Sequence, residues 1–197
     1  QFADSGQKVT FLDSERTDDT ILGELWADKK IREKIEEVLS NMFGKSIRFE
    51  KDSNIPIVVN KSAGIEYGLK EGECHGFKRI LTLLLALYGS GDGCLFIDEP
   101  ELHLHPQFQL FFMNEIRREA AANPNRMFFL ITHSPYFIDL KFPEDLIGVV
   151  VCHINKEPTH IESLSKDDAA LFMRFLPRFN TYHKQFFFSD NQIFVEG

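Results

Sequence analysis

The stretch Cys94–Pro106, CLFIDEPELHLHP, decides how the chain folds. Apolar residues Cys94–Ile97 run directly into two adjacent carboxylates, Asp98 and Glu99. A buried strand ends this way when its tip must hold a metal ion and position a water. Further along, FFLITHSP (Phe128–Pro135) repeats the design: an apolar strand ends in Thr132, His133 and Ser134. Between them a helix is expected from Pro106 to Ala122. Proline suits a first helical turn, and Asn123-Pro124-Asn125 ends the helix. Strand, helix and strand in this order place two parallel strand tips at one sheet edge, where α/β proteins bind ligands.

The residue types at the tips suggest a chemistry. Asp98 can hold Mg²⁺, a cation that favours one or two carboxylates together with phosphate oxygens. Glu99, one residue further out, can accept a proton from an attacking water. Pro100 stiffens the turn. A neutral imidazole at His133 can contact a γ-phosphate and sense its loss. Each motif has a structural alternative. A strand can end in Asp-Glu by chance, and His133 can cap the helix beginning at Ser134. Together the two motifs point to Mg²⁺-dependent nucleotide hydrolysis.

Outward from this centre, Glu71–Gly76 is a polar, glycine-containing loop. It opens onto a helix, Phe77–Tyr88, that is apolar almost all round and so reads as buried on most sides. The loop Gly89–Gly93 ends that helix. Upstream, the pattern turns helical from Asp19 to Phe43, with Ile31, Ile35, Leu39 and Met42 on one face and Gly44 as its stop. SIRFE and IPIVVN read as short strands around Asp52-Ser53-Asn54, with a third near Ile65–Leu69. Residues 1–18 are polar and aperiodic and read as a loop. Downstream, Leu146–His153 and Thr159–Ser163 read as strands, Ser165–Leu176 as a helix, and IFVEG (Ile193–Gly197) as a last strand. The fold class is α/β: a mostly parallel sheet flanked by helices, with a small helix and β appendage at the N-terminal side.

Composition narrows the class. At 197 residues and 43% hydrophobic, the chain is long enough for one domain with a real core. No apolar run reaches the roughly 20 residues that cross a bilayer; the longest, Ile80–Tyr88, contains Thr82. The N-terminus is polar and acidic, unlike a signal peptide. No membrane partner and a cytoplasmic location are expected. Cys74, Cys94 and Cys152 are odd in number and widely spaced, which reads as reduced thiols. A formal charge of −8 gives no general field for nucleic acid. A local basic groove through Arg117, Arg118 and Arg126 stays open, beside the reading of a solvated helix end. The 20 phenylalanines crowd toward the C-terminus, where Phe172 and Phe175 have core spacing.

FIDEPELHLHP followed by FFLITHSP resembles the Walker B, D-loop and switch-histidine region of ABC-class ATPases. It most resembles the OLD (overcoming lysogenization defect) family and similar bacterial AAA-type ATPases of phage defence. GECHGFKRILTLLLAL (Gly72–Leu87) resembles the signature loop and its leucine-rich helix. IFVEG resembles the first strand of the TOPRIM nuclease domain that follows the ATPase in OLD proteins. The resemblance implies that Asp98 holds Mg²⁺, Glu99 is the catalytic base and His133 the switch histidine. It implies that His75 and Gly76 touch ATP bound to a partner subunit, and that Glu196 opens an incomplete TOPRIM metal site. It divides the chain into an accessory part (1–70), the C-terminal lobe of an ABC-ATPase (71–190) and the start of a TOPRIM-like domain (191–197). It also implies a homodimer or higher oligomer closed by an ATP sandwich, with DNA as partner.

The chain departs from the family pattern in places. A Walker A loop, GxxxxGK[ST], should precede these motifs. Gly44-Lys45-Ser46 is a decoy, since Leu39 stands where the first glycine should and the tripeptide leads from helix to strand rather than from strand to helix. The expectation is the C-terminal half of an ATPase, with Walker A and the glutamine loop carried elsewhere. His75 replaces the usual serine, and histidine changes charge near neutral pH; this would make dimer formation pH-sensitive. His103 and His105, with His133, could instead bind zinc. Two competing functions remain: an ATPase of the DNA-repair or chromosome-maintenance type without a nuclease, and a non-catalytic dimerisation or interaction module. The chain alone is expected to self-associate through unpaired sheet edges.

Overall fold

The computed structural model describes residues 8–13, 28–50, 55–138, 145, 148–153, 160–163 and 167. The chain divides into two units, residues 1–132 and 133–197.

The first unit is built on a three-stranded parallel sheet. Its strands are β1 (Lys8–Leu12), β5 (Gly93–Asp98) and β6 (Met127–Ile131), with β5 in the middle. As a central strand β5 is apolar almost without a break, and Cys94, Leu95 and Ile97 are buried. β1 corrects the expectation of a loop over residues 1–18: Lys8 to Leu12 pair in register with Gly93 to Ile97. KVTFL alternates polar and apolar over only its first four residues, too short a run to announce a strand, and its apolar Val9 and Phe11 are exposed. Pairing with β5 makes them one. Gly93 permits that pairing: its φ is +147°, and a Cβ there would lie 2.1 Å from the Lys8 carbonyl oxygen.

The helices follow their patterns. In α1 (Lys29–Phe43), Ile35 and Leu39 are buried. The helix begins later than its periodicity suggests, because the Asp28 carboxylate accepts the Lys30 and Ile31 N–H groups and caps it there; residues 19–27 lie outside the described residues. Gly44 ends it in the left-handed conformation at φ 61°. α3 (His75–Gly89) is buried on nearly every side through Phe77, Ile80, Leu81 and Leu83 to Leu87. α4 (Pro106–Ala122) starts at its proline and ends at Asn123. It packs on α3 and β6, and α1 packs on α3.

A polar network ties these elements together. The buried Arg126 donates to Glu119 at 3.0 Å, to the Leu87 carbonyl and to Ser90. Lys34 donates to Glu119 at 2.8 Å, and the Tyr88 hydroxyl to Glu115 at 2.9 Å. Burial first, then Glu115, pushes the Tyr88 phenol well above its ordinary pKa. The basic groove is not found here: Arg126 is internal, and Arg118 pairs with Glu115 at 2.6 Å.

Beside this core lies an antiparallel sheet of β2 (Lys45–Phe49), β3 (Pro56–Asn60) and β4 (Ile65–Gly68), followed by the single helical turn α2 (Leu69–Gly72). In the second unit, a 3-10 turn at Pro135–Phe137 precedes β7 (Val150–His153), which pairs antiparallel with β8 (His160–Ser163). Of the helix expected over Ser165–Leu176 only Asp167 is described, and it is helical; the terminal IFVEG strand, with Glu196, falls outside the described residues. Among the described residues no helix is long and apolar enough to cross a membrane.

Candidate functional site

Asp98 is the last residue of β5 and pairs in register with Ile131 of β6. Because β5 and β6 are adjacent and parallel, Asp98 and Thr132 leave the sheet at the same edge. Glu99 extends the ladder by one step: its N–H donates to the Ile131 carbonyl at 2.9 Å. It does so in the left-handed region, at φ 45°, which L-residues seldom adopt. Both acids are half-buried. The hydrogen bonds at this turn use its main chain, and among the described residues neither carboxylate accepts one.

The loop beyond is folded back on itself. Leu102 N–H donates to the Glu99 carbonyl at 3.1 Å, and Leu104 N–H to that of Glu101 at 2.8 Å. Glu101 accepts the Thr132 hydroxyl at 2.7 Å, joining the acidic turn to the tip of β6. His103, at φ 62°, brings its ring 5.5 Å from that of His75. A Cβ on Gly76 would lie 3.1 Å from the His103 carbonyl oxygen. The loop after Glu99 therefore rests against the first two residues of α3, His75 and Gly76, and uses the small size of Gly76 to do so.

His133 opens the second unit and follows Thr132 directly in the chain. It does not cap the next turn; Ser134 does, accepting the Tyr136 N–H at 3.3 Å. The zinc reading is not borne out: among the described residues no group of three or more His, Cys, Asp or Glu could hold a metal ion. His105 instead caps α4, its Nδ1 accepting the Gln107 N–H at 3.4 Å. Cys74 and Cys94 are free thiols.

The Gly44-Lys45-Ser46 tripeptide is a helix cap followed by an ion pair. Lys45 donates to Glu73 at 2.6 Å, and the Tyr67 hydroxyl to the same carboxylate oxygen at 2.8 Å. Sequence reasoning missed this lock, and it missed Arg79. That residue lies inside α3 with its guanidinium against the Asp98 and Glu99 carbonyls. The signal was faint: Arg79 follows Lys78 in the first turns of a helix that is otherwise largely apolar, and only Arg79 of the two is buried.

Residues 8–139 match the protein family described as "AAA domain, putative AbiEii toxin, Type IV TA system". The chain belongs to this family. The AAA domain is similar to an "OLD nuclease" of Thermus scotoductus, 27% identical over 142 residues, which cover 68% of this chain and 24% of that protein. It is similar also to the uncharacterised protein MJ1542 of Methanocaldococcus jannaschii, 31% identical over 119 residues, 57% of this chain and 14% of the relative. The chain thus spans about a quarter or less of the length of these relatives. Among solved structures it resembles one from work on "ATP-driven dimerization and DNA stimulated activation of SMC ATPases". The TM-score is 0.55 at 12% identity, covering 81% of this chain and 99% of that one. An Smc head domain of Pyrococcus yayanosii gives 0.51 at 14% identity, covering 75% of this chain and 29% of that one. The AAA domain therefore has the α/β fold of ABC-type ATPase heads, with a parallel sheet flanked by helices. It is an AAA domain that resembles the OLD family.

Proposed function

We propose that this module hydrolyses ATP at the Asp98–Glu99 turn. The supporting observation is how the turn is held: at the end of the central parallel strand, with Glu99 fixed by its N–H on Ile131 and Glu101 by the Thr132 hydroxyl. Glu99 takes the proton of the attacking water. His133 contacts the γ-phosphate and reports its departure. Asp98 suits Mg²⁺, since its half-buried carboxylate stands at a strand tip with no competing hydrogen bond among the described residues. Bound there with phosphate oxygens, the ion would neutralise charge on the phosphates.

His75 and Gly76 begin a 15-residue helix whose N-cap, Cys74, makes no side-chain cap hydrogen bond. The N–H groups and dipole of such a helix end favour an anion. In this reading they meet the γ-phosphate of ATP held by a second copy, so that two subunits close on two nucleotides. By sequence this role falls to residues 71–190, joined by β1 of the same parallel sheet, with the rest of residues 1–70 as the accessory part. The likeness to an OLD nuclease supports a further step, in which hydrolysis controls DNA cleavage by a TOPRIM-like domain whose first acid is Glu196, in the cytoplasm, as part of phage defence.

Phosphate release by the full-length protein tests the core of this reading. Glu99→Gln is expected to slow it by roughly 10²- to 10⁴-fold, the usual contribution of a general base, while ATP still binds. Unchanged turnover would remove Glu99 from the chemistry. Glu196→Ala separates the nuclease from the ATPase: it should abolish metal-dependent DNA cleavage and leave ATP hydrolysis intact.

A further inference from the structure

Arg79 is a guanidinium inside an apolar helix, 2% exposed. It donates to the Asp98 carbonyl at 3.3 Å, to the Glu99 carbonyl at 3.0 Å and to the Asp13 carbonyl at 3.5 Å. Its Nε has no hydrogen-bond partner among the described residues. The charge thus meets the main chain at two neighbouring strand tips, of β1 and β5, rather than the side chain of an acid. Burial pulls its pKa below the ordinary guanidinium value, against the opposing pull of Glu101, Asp13, Asp98 and Glu99. Burying an incompletely paired guanidinium is costly, and a leucine would suit the rest of α3 better. Packing alone does not account for an arginine here.

The geometry supplies a reason. The Asp98 and Glu99 carbonyls belong to the two peptide groups that flank the Glu99 Cα. One guanidinium nitrogen holds both. From the other side, the Glu99 N–H is held by Ile131. With both peptide planes fixed, the positive φ of Glu99 is fixed, and so is the direction of the Cα–Cβ bond from which its carboxylate is carried.

We propose that Arg79 is a positioning residue for ATP hydrolysis, clamping the peptide planes on both sides of Glu99 and so aiming the carboxylate at the attacking water. This rests on Glu99 being the base. Arg79 touches neither nucleotide nor water in this account; it acts through the backbone of Glu99.

The test is steady-state ATP hydrolysis by the full-length protein carrying Arg79→Met, Arg79→Lys or Glu99→Gln, with kcat expressed per nucleotide-binding site so that unfolded protein is not counted. Arg79→Met fills the same space without the donors. It should lower kcat roughly 10²-fold, as a displaced catalytic group does, while KM for ATP moves by less than about threefold, because ground-state binding is untouched. Arg79→Lys should recover part of the loss and stay about tenfold below the wild type, since an ammonium lacks the planar fork. A purely structural role would lower the thermal midpoint and the number of sites and leave kcat per site unchanged. Wild-type kcat per site in Arg79→Met overturns the proposal. Where that variant does not fold, wild-type kcat in Arg79→Lys overturns it. If Glu99→Gln turns over normally, the base assignment falls and takes Arg79 with it; if Glu99→Gln is dead and Arg79→Met is not, only the clamp falls.

Discussion

Glu73 holds the residues ahead of the α3 N-terminus in place. Its carboxylate accepts from Lys45, the Tyr67 hydroxyl and the Cys74 N–H, the last at 3.1 Å. Burial alone would raise its pKa, but those donors outweigh burial and leave the carboxyl below its ordinary value. For Lys45, burial pulls down and the hydrogen bonds to Glu73 and Tyr67 pull up, with a net rise. The signs follow by linkage. Glu73 contributes stability that is present above the ordinary carboxylate pKa and lost as pH falls through its depressed one; Lys45 contributes stability that is lost only as pH rises through its raised one. Glu73→Gln should therefore cost about 1.5–3 kcal/mol at neutral pH, the worth of hydrogen bonds to a charged group. The penalty should shrink as pH drops below about 4. Urea unfolding across that range reads it directly, and a penalty independent of pH would show that the charge of Glu73 is idle.

Two glycines near the acidic strand separate steric from conformational effects at the level of elements. At Gly93 a Cβ would collide with the Lys8 carbonyl at 2.1 Å, whereas at Gly91, φ +66°, it would meet nothing within 4 Å. Gly93→Ala should cost roughly 3 kcal/mol or more by forcing β1 off β5. Gly91→Ala should cost only about 1–2 kcal/mol, the left-handed penalty. Equal costs in chemical denaturation would mean that the β1–β5 pairing contributes little. The same contrast explains what could be read from the sequence. β5 and β6 were legible because each is an unbroken apolar run that ends in polar residues, and α4 because Pro106 and Asn123 mark its ends. β1 was not, because a five-residue strand with exposed Val9 and Phe11 is made by its partner. The acidic pair announced itself as a motif. The clamp did not, because Arg79 is explained by carbonyls that the fold alone brings to it.

At the scale of the whole molecule, the described residues leave several apolar side chains bare on one face of the parallel sheet of the first unit. Val9, Phe11, Phe129 and Ile131 lie on it with 55%, 53%, 40% and 52% of their surface exposed, and Phe96 stacks on Phe129 at 4.4 Å. Parallel sheets are ordinarily covered on both faces, and apolar patches of this kind promote association. The 197-residue chain alone should self-associate in light scattering, and Phe129→Lys with Ile131→Lys should reverse this. A clean monomer at high concentration would contradict it. Association driven by nucleotide is a separate matter, and it carries the central claim. The most direct measurement is the nucleotide content and mass of full-length Glu99→Gln after incubation with Mg²⁺ and ATP, beside the wild type. If the Asp98–Glu99 turn is the hydrolytic centre, the variant emerges from gel filtration with intact ATP and about twice the mass of its nucleotide-free form, while the wild type has released phosphate. A variant that releases phosphate as fast as the wild type would contradict the account.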